Sequence, residues 1–251
     1  MISKNKIKYL CSLKQKKFRI QNTSTLLEGL RLIEQAIDFN ADIKSIWILK
    51  NKLAENQKFI NKVKLKNIPL YEINEKELKL ISDTKNSQGY IAEVSIHKYL
   101  DNFSMNSMIN NVVILDNISD PGNIGTILRT CAWYGVKSII LTSHSSDPFN
   151  LKCIRSGMGA HFYFDHLTVL DNKDLKNNLK EYNFKVICAD LDGKDINSIN
   201  IPKKWALILG SEAHGISNEF KDCEKITINK YGNIESLNVS VAAGIILNRL
   251  I

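Results

Sequence analysis

Apolar and polar positions follow one another along the chain as they do in α/β proteins, with short apolar runs separated by segments of helical periodicity. In the first third of the chain, the pattern predicts strands at 45–49, 68–73 and 89–96 and helices at 24–37, 54–65 and 75–82. The prediction of the first helix depends on the spacing of Leu26, Leu30 and Ile33 and on a capping box between Thr25 and Glu28.

A longer α/β pattern occupies the rest of the chain. Its predicted strands are 112–116, 138–142, 184–190, 205–210 and 225–229. Its predicted helices are 123–134, 149–157, 171–182 and 237–250. Most of these strands are continuous apolar runs, which is typical of a mostly parallel sheet buried on both faces. We therefore expect a small α/β domain over 1–96, a polar linker over 97–111 and a second α/β domain over 112–251.

The bulk composition is that of a globular protein, with 44% apolar and 24% charged residues among 251. No stretch approaches the roughly 18 apolar residues that a membrane span requires, and the basic N-terminus lacks the apolar centre of a secretion signal. The five cysteines are scattered and include no Cys-x-x-Cys pair. This spacing favours reduced thiols in the cytoplasm over disulfides or a zinc site, so we expect no metal. Because no apolar span is present, we also expect no membrane association.

The charge is distributed unevenly. Residues 1–95 hold 18 Lys and Arg against 10 Asp and Glu, whereas residues 96–251 hold 16 of each, so the net charge of +8 lies entirely in the first part. The first 27 residues contain no acid. A one-sided basic block favours a polyanionic partner such as the phosphates of RNA. A solvated surface in a protein whose composition is generally rich in lysine is the alternative interpretation.

Three segments at predicted strand ends combine small residues with polar ones. They are "LDNISDPGNIGTILRT" over 115–130, "LILGSEAHGIS" over 207–217 and "ITINKYGNIESLNVSVAAG" over 226–244. Each segment alone is compatible with ordinary turn chemistry, and the first lacks the third glycine of a dinucleotide-binding fingerprint. Because parallel sheets bind ligands beyond the carboxyl ends of their strands, the three together predict a pocket.

The order of these segments resembles the three motifs of the SpoU-type (TrmH-like) RNA ribose methyltransferases of the SPOUT class. The resemblance covers essentially all of 112–251 and includes "SGMGAHF" over 156–162. More loosely, residues 1–96 resemble the substrate-binding domain of many members, a small α/β fold related to ribosomal proteins that bind RNA. The resemblance implies a C-terminal domain with a trefoil knot, bound S-adenosyl-L-methionine, methyl transfer to a ribose 2′-hydroxyl and a homodimer as the active unit.

Site residues follow from the same resemblance. It places S-adenosylmethionine against the backbone around Gly210, Ile228 and Leu237. It implies catalytic roles for five side chains, namely Asn123, Arg129, Glu212, Ser236 and Asn238. Arginine in this position is the family's proposed general base. Because an arginine side chain normally stays protonated in a protein, binding of phosphate and stabilisation of the alkoxide is the alternative role.

The chain's last helix is apolar on most sides after a polar start. This pattern is expected both for a helix inside the core and for a helix shared with a partner subunit, so it does not distinguish the two. The homodimer is therefore an expectation that rests on the resemblance.

The favoured function is 2′-O-methylation of ribosomal RNA, with guanosine in the large subunit as the favoured target and transfer RNA as the alternative. A non-enzymatic RNA-binding or ribosome-assembly factor with the same fold, and a methyltransferase acting on protein or a small molecule, are the competing classes.

Overall fold

The structure is a computed structural model that describes residues 2–100 and 111–251. Its contacts divide the described chain into two compact units. The first comprises 2–100 together with Phe149–Phe162, and the second comprises 111–148 together with Tyr163–Ile251. The expected linker over 97–111 lies mostly outside the described residues, after a short 3₁₀ helix at His97–Tyr99.

The first unit is built on a four-stranded sheet in the order β1-β4-β2-β3. Its strands are β1 Ser24–Glu28, β2 Ile43–Leu49, β3 Leu70–Ile73 and β4 Tyr90–Ser95. Its helices are α1 Lys4–Ser12, α2 Lys16–Asn22, α3 Leu30–Asp38, α4 Lys50–Glu55, α5 Gln57–Leu65, α6 Glu75–Ile81 and α8 Leu151–Gly157. Strand β4 runs antiparallel to β1 and β2, whereas β2 and β3 are parallel.

The predicted helix over 24–37 is wrong in its first part. Residues 24–28 form strand β1, which is buried along most of its length and pairs with β4. Gly29 then adopts a φ of 109° and the helix begins only at Leu30, so Thr25 and Glu28 form no capping box. The apolar spacing was compatible with a helix. Residues 24–28 form a strand instead, because their side chains are buried on both faces and pairing with β4 satisfies the hydrogen bonds of their backbone.

Helices α1 and α2 were not predicted from the sequence. Their connection is fixed by Arg19, which is 2% exposed and donates hydrogen bonds from Nη1 to the carbonyl groups of Leu13 (2.9 Å) and Lys14 (2.7 Å). A guanidinium thus satisfies carbonyl groups that the end of α1 leaves without helical partners. One of the basic residues of the N-terminal block is therefore structural.

The second unit contains a six-stranded sheet in the order β10-β8-β9-β5-β6-β7, in which every described pairing is parallel. Its strands are β5 Val112–Asp116, β6 Ser138–Thr142, β7 His166–Leu170, β8 Lys185–Asp195, β9 Trp205–Gly210 and β10 Glu224–Thr227. Its helices are α7 Pro121–Trp133, α9 Asn172–Glu181 and α10 Val239–Leu250. The mostly parallel sheet predicted from the continuous apolar strands is confirmed.

Strand β7 was missed by the sequence prediction because it is only partly buried and carries polar residues. It nevertheless pairs with β6 along its whole length, from Ser138↔His166 to Thr142↔Leu170. Strand β5 lies in the middle of the sheet between β9 and β6, and all its residues are buried. In the part of the chain that the structure describes, no helix is both long enough and apolar enough to traverse a bilayer.

Candidate functional site

The carboxyl ends of β5, β9 and β10 bring the three motif segments to one edge of the parallel sheet. Asp116 at the end of β5 is the register partner of Gly210 at the end of β9. After β5 the chain enters α7, whose N-cap Asp120 accepts a hydrogen bond from the Asn123 amide. After β10 an exposed segment leads to α10, whose N-cap is Asn238. The three segments therefore lie at one edge of the sheet, where the sequence predicted a pocket.

A cavity of about 540 Å³ lies between the ends of β8, β9 and β10 and the start of α10. Its lining includes all three residues expected to contact a cofactor, namely Gly210, Ile228 and Leu237. Glu212 and Ser236 also line it. The remaining lining is partly apolar, with Leu209, Ile216, Ile226, Val239 and Ile246 among its members. The cavity combines apolar walls with polar groups, as is usual for a small-molecule site.

Gly210 is required by the close approach of two chain segments. A β-carbon added here would lie 2.6 Å from the carbonyl carbon and oxygen of Gly215 and 2.8 Å from Cδ1 of Ile216. The segment between them is a tight turn, closed by a hydrogen bond from the Gly215 amide to the Ser211 carbonyl. The absence of a side chain therefore lets this turn fold back on the end of β9 and shape one wall of the cavity.

Glu212 is the centre of a hydrogen-bonded cluster that joins all three motifs. Its Oε1 accepts from Asn123 Nδ2 (3.2 Å), from Asn238 Nδ2 (3.0 Å) and from the backbone amide of Val239 (3.0 Å). Asn238 also donates to Asn123 Oδ1 at 3.0 Å. The carboxylate thus lies at the N-terminus of α10, where unpaired amide groups and the helix dipole favour negative charge.

The structure brings together three of the five predicted catalytic residues, Asn123, Glu212 and Asn238. Arg129 does not join this cluster. It is exposed on α7, and its guanidinium makes no ion pair or hydrogen bond with the residues that the structure describes. Ser236 is exposed and lines the cavity two residues before the N-cap of α10. A charged, solvent-facing Arg129 is available to an incoming substrate.

Asp116 was missed by the sequence analysis. It is completely buried at the end of β5, where its carboxylate accepts from the amide (2.7 Å) and hydroxyl (2.8 Å) of Ser217. Asn117 continues this contact, because its Nδ2 donates to Ser217 Oγ at 2.9 Å. The two residues fix the far end of the turn that carries Glu212. The signal for Asp116 in the sequence was its position as the acid that ends the apolar run "VVILD".

Several titratable side chains of this unit that lie outside the Glu212 cluster have shifted pKa values. Cys223 and Cys188 interact through their thiols, and this hydrogen bond lowers the pKa of Cys223 to about 7 and raises that of Cys188. Burial raises the pKa of Cys131 on α7. The pKa of Asp190 is lowered by hydrogen bonds from the backbone of Asp192 and from Lys225, which outweigh desolvation. None of these groups belongs to the Glu212 cluster.

No group of three or more His, Cys, Asp or Glu residues suited to a metal ion occurs within residues 2–100 and 111–251. None of the five cysteines, all of which lie within the described residues, forms a disulfide bond. Hydrogen-bond donors and acceptors on side chains and backbone, together with the apolar cavity wall, therefore make up the described site.

Comparison with known proteins agrees with this arrangement. Residues 110–248 match the model of the SpoU rRNA Methylase family, and residues 4–92 match an MRM3-like substrate binding domain. The 23S rRNA (guanosine(2553)-2′-O)-methyltransferase RlmP of Bacillus subtilis is 30% identical over 98% of this chain and 95% of its own. The 23S rRNA (guanosine-2′-O-)-methyltransferase RlmB of Neisseria meningitidis is 29% identical over 82% of this chain and 86% of its own.

Among solved structures, the AdoMet-bound rRNA methyltransferase of Sinorhizobium meliloti matches with a TM-score of 0.84 and 27% identity, over 100% of this chain and 95% of that one. The fold and the site thus define a two-unit RNA methyltransferase, and the expected fold class is confirmed. More specifically, the chain belongs to the SpoU rRNA methylase family.

The Glu212 cluster generates a prediction about the start of α10. Replacing Glu212 by Ala removes the acceptor of the Val239 amide, so hydrogen exchange at residues 239–241 should accelerate. Loss of these hydrogen bonds at an exposed site should lower the free energy of unfolding by ~1 kcal/mol. In a chain of this size, such a loss lowers the melting temperature by about 3 °C. Mass-spectrometric hydrogen exchange and a thermal melt measure the two effects.

The matched control for this variant is Glu235→Ala. Glu235 is an exposed glutamate nearby whose side chain makes no hydrogen bond with the described residues. It should leave exchange at α10 unchanged. Equal exchange in the Glu212 and Glu235 variants would show that Glu212 does not hold the helix start.

Proposed function

We propose that this protein transfers a methyl group from S-adenosylmethionine to a ribose 2′-hydroxyl of ribosomal RNA. The observation that carries the proposal is the cavity bounded by the motif segments, with the Asn123–Glu212–Asn238 cluster at its margin. Both RlmP and RlmB, by their names, modify a guanosine of 23S rRNA, which supports guanosine in the large-subunit RNA as the target class. Transfer RNA is the second candidate substrate.

The cavity fits S-adenosylmethionine. Its volume and mixed lining suit a molecule with an apolar-faced base, a ribose and a charged amino-acid group. Ile234 and Leu237, which line it, are 70% and 43% exposed, so a bound molecule can cover apolar surface there. Backbone groups near Gly210 and Ile228 are available as hydrogen-bonding partners. When bound, S-adenosylmethionine supplies the methyl group on a positively charged sulfonium.

The chain's own residues supply position and charge. Glu212 and the amides of Asn123 and Asn238 hold one another, so their orientation is fixed before substrate arrives. Arg129, with no partner among the described residues, binds the phosphate beside the target ribose and stabilises negative charge as the hydroxyl loses its proton. This role requires a charged guanidinium whose planar fork can donate two hydrogen bonds at once. Ser236 organises the segment that precedes α10.

The first unit delivers the RNA. Its match to a substrate-binding domain agrees with the location of the excess positive charge in residues 1–95. Lys4, Lys8, Lys16 and Lys17 of α1 and α2 are exposed and make no ion pair within the described chain. Unpaired lysines of this kind bind phosphate through release of counterions. Salt-sensitive RNA binding would separate this substrate from a protein or a small molecule.

The protein operates in the cytoplasm on this proposal. The support is the set of five free cysteines, two of them only partly buried.

The placement of the cofactor is tested at Gly210. Because even a β-carbon here meets the Gly215 backbone, Gly210→Ala should displace the turn that forms the cavity wall and weaken S-adenosylmethionine binding by at least tenfold, as expected for a strain of ~1–3 kcal/mol. Gly232→Ala is the control, since Gly232 lines the same cavity with open space around its Cα. Isothermal calorimetry that finds equal affinity in both variants would contradict the placement.

The same titration separates an enzyme from a non-enzymatic assembly factor. An enzyme should bind S-adenosylmethionine and methylate unmodified rRNA, whereas a factor that has lost turnover should bind rRNA without methylating it.

Arg129 should be needed for turnover and not for folding. Single-turnover methylation by Arg129→Ala should be slower by about 10²–10³, the usual effect of removing one transition-state contact. Arg129→Lys should restore the rate poorly, because lysine keeps the charge but lacks the planar fork. Melting temperature and cofactor affinity should be unchanged in both variants, since the side chain is exposed. A near-normal rate for the alanine variant would remove Arg129 from the mechanism.

The active unit of the proposed enzyme is a homodimer. Trp133 on α7 is 85% exposed, and Val241 and Ile245 on α10 are 51% and 42% exposed. The two helices are joined by a hydrogen bond from Tyr134 Oη to Asn248 Oδ1 at 3.1 Å. Exposed apolar side chains on neighbouring helices are typical of a protein interface, and a second copy of the chain is the occupant that the family resemblance implies.

Sedimentation velocity tests the dimer. The natural chain should sediment as a dimer, and Trp133→Asp with Ile245→Asp should sediment as a monomer because each charge would be buried at the interface. Leu65→Asp is the control, since Leu65 is equally exposed on α5 of the first unit. A natural chain that sediments as a monomer at all concentrations would contradict the proposal.

A further inference from the structure

The first unit contains a polar cavity that the proposed methyl transfer does not use. Its volume is about 690 Å³, and it lies on one face of the four-stranded sheet beside the N-terminus of α1. The residues that matter are Lys6, Lys44, Ser45, Trp47, Tyr71 and Glu93. They combine aromatic rings, cations and buried polar groups in one concave surface.

Lys44 enters this cavity because of an irregularity in the sheet. In the pairing of β2 with β4, Ile43 is opposite Val94 and Ser45 is opposite Glu93, so Lys44 is an extra residue in a β-bulge. Bulges redirect side chains and often occur beside functional sites. The Lys44 ammonium donates to Ser24 Oγ at 2.6 Å and forms no ion pair with any described residue. Its charge is therefore uncompensated by a carboxylate.

The floor of the cavity is polar although it is buried. Ser45 is 5% and Glu93 is 3% exposed. Glu93 is matched by Lys6, whose Nζ lies 2.7 Å from Oε2, and by the hydroxyl of Tyr9, 2.6 Å from Oε1. Burial and the Glu93 contact raise the pKa of Tyr9 to about 12, so the phenol remains a donor. Because Lys6 neutralises Glu93, the cation left for a ligand is Lys44, and Glu72 at the exposed rim is the remaining acid.

The wall of the cavity offers an aromatic platform. Trp47 is buried, and Tyr71 of the neighbouring strand stacks on it with ring centroids 6.1 Å apart and an interplanar angle of 24°. Tyr71 is 52% exposed, so much of its surface is available. An unpaired RNA base stacks on such a ring, and the phosphate that follows or precedes it needs a cation.

We propose that this cavity binds one unpaired nucleotide of the substrate RNA, with the base stacked on Tyr71 and a phosphate bound by Lys44. The inference rests on the proposed function only in that RNA is the substrate. It adds that the first unit recognises a single-stranded or looped segment, in addition to the sequence-independent attraction of its exposed lysines. A double helix cannot insert a base into the cavity, because its bases are paired and stacked inside the duplex.

The experiment compares two fluorescein-labelled probes, an RNA hairpin with an unpaired loop of mixed sequence and the fully paired duplex of its stem. Anisotropy titrations use the full chain, Tyr71→Ala, Tyr71→Phe and Lys44→Met. Lys64→Met and Leu65→Ala are the controls, because both residues are exposed on α5 of the same unit and neither lines the cavity. Thermal melts establish that each variant is folded.

The natural chain should prefer the hairpin. Tyr71→Ala should lose about tenfold in affinity for the hairpin, the usual effect of removing one stacked base, and nothing for the duplex. Tyr71→Phe should retain the preference. Lys44→Met should weaken hairpin binding and reduce its salt dependence by about one phosphate contact.

Equal affinity of the natural chain for hairpin and duplex, or an unchanged hairpin affinity in Tyr71→Ala, would overturn the proposal. So would an equal loss for both probes, because a damaged fold or a general phosphate contact affects them alike. Methylation of unmodified rRNA by the natural chain is measured in parallel. If the natural chain methylates RNA and Tyr71→Ala behaves like it, the nucleotide site fails and the proposed function stands. If the natural chain transfers no methyl group, the proposed function fails.

Discussion

The geometry of the site depends on one carboxylate oxygen, Oε1 of Glu212. It receives hydrogen bonds from side chains in the first and third motifs and from the first amide of α10, and it is itself carried by the second motif. Three segments that are 26 to 115 residues apart in sequence therefore share one acceptor. An anion is suited to this position because the start of a helix presents amide groups and the positive end of its dipole. The same contact fixes Asn123 and Asn238 relative to each other.

The turn that carries Glu212 is itself held at both ends. At its beginning, Gly210 allows the chain to approach Gly215 more closely than any side chain would permit. At its end, the buried carboxylate of Asp116 binds the amide and hydroxyl of Ser217. Burial of a carboxylate is costly unless its oxygens are satisfied, so this pair specifies a single position for the turn. The walls of the cavity and the polar cluster at its margin are consequences of the same two constraints.

On the proposed function, the two units divide the tasks of the protein by charge. Residues 96–251 hold equal numbers of acidic and basic side chains, and several lysines of the second unit pair with acids, as Lys225 does with Asp190. In the first unit, Lys4, Lys8, Lys16 and Lys17 have no acidic partner among the described residues. Arg19 and Lys6, by contrast, make structural contacts. RNA binding and methyl transfer make different demands on a surface: the former needs free cations, and the latter needs a preorganised polar cluster with an apolar cavity.

The α/β class, the parallel sheet of the second unit and the three loops at its edge could all be predicted from the sequence, because continuous apolar strands and turns of small and polar residues are local signals. The motif resemblance indicated Gly210, Ile228 and Leu237, which the structure places around one cavity. That residues 24–28 form a strand became apparent only in the folded chain, since the pairing partner β4 lies more than sixty residues away. The fold also shows that Asp116 contacts the turn that carries Glu212 and that Arg129 lies apart from the Glu212 cluster. Burial and hydrogen bonding between distant segments depend on how the whole chain packs, and no local pattern of residues encodes them.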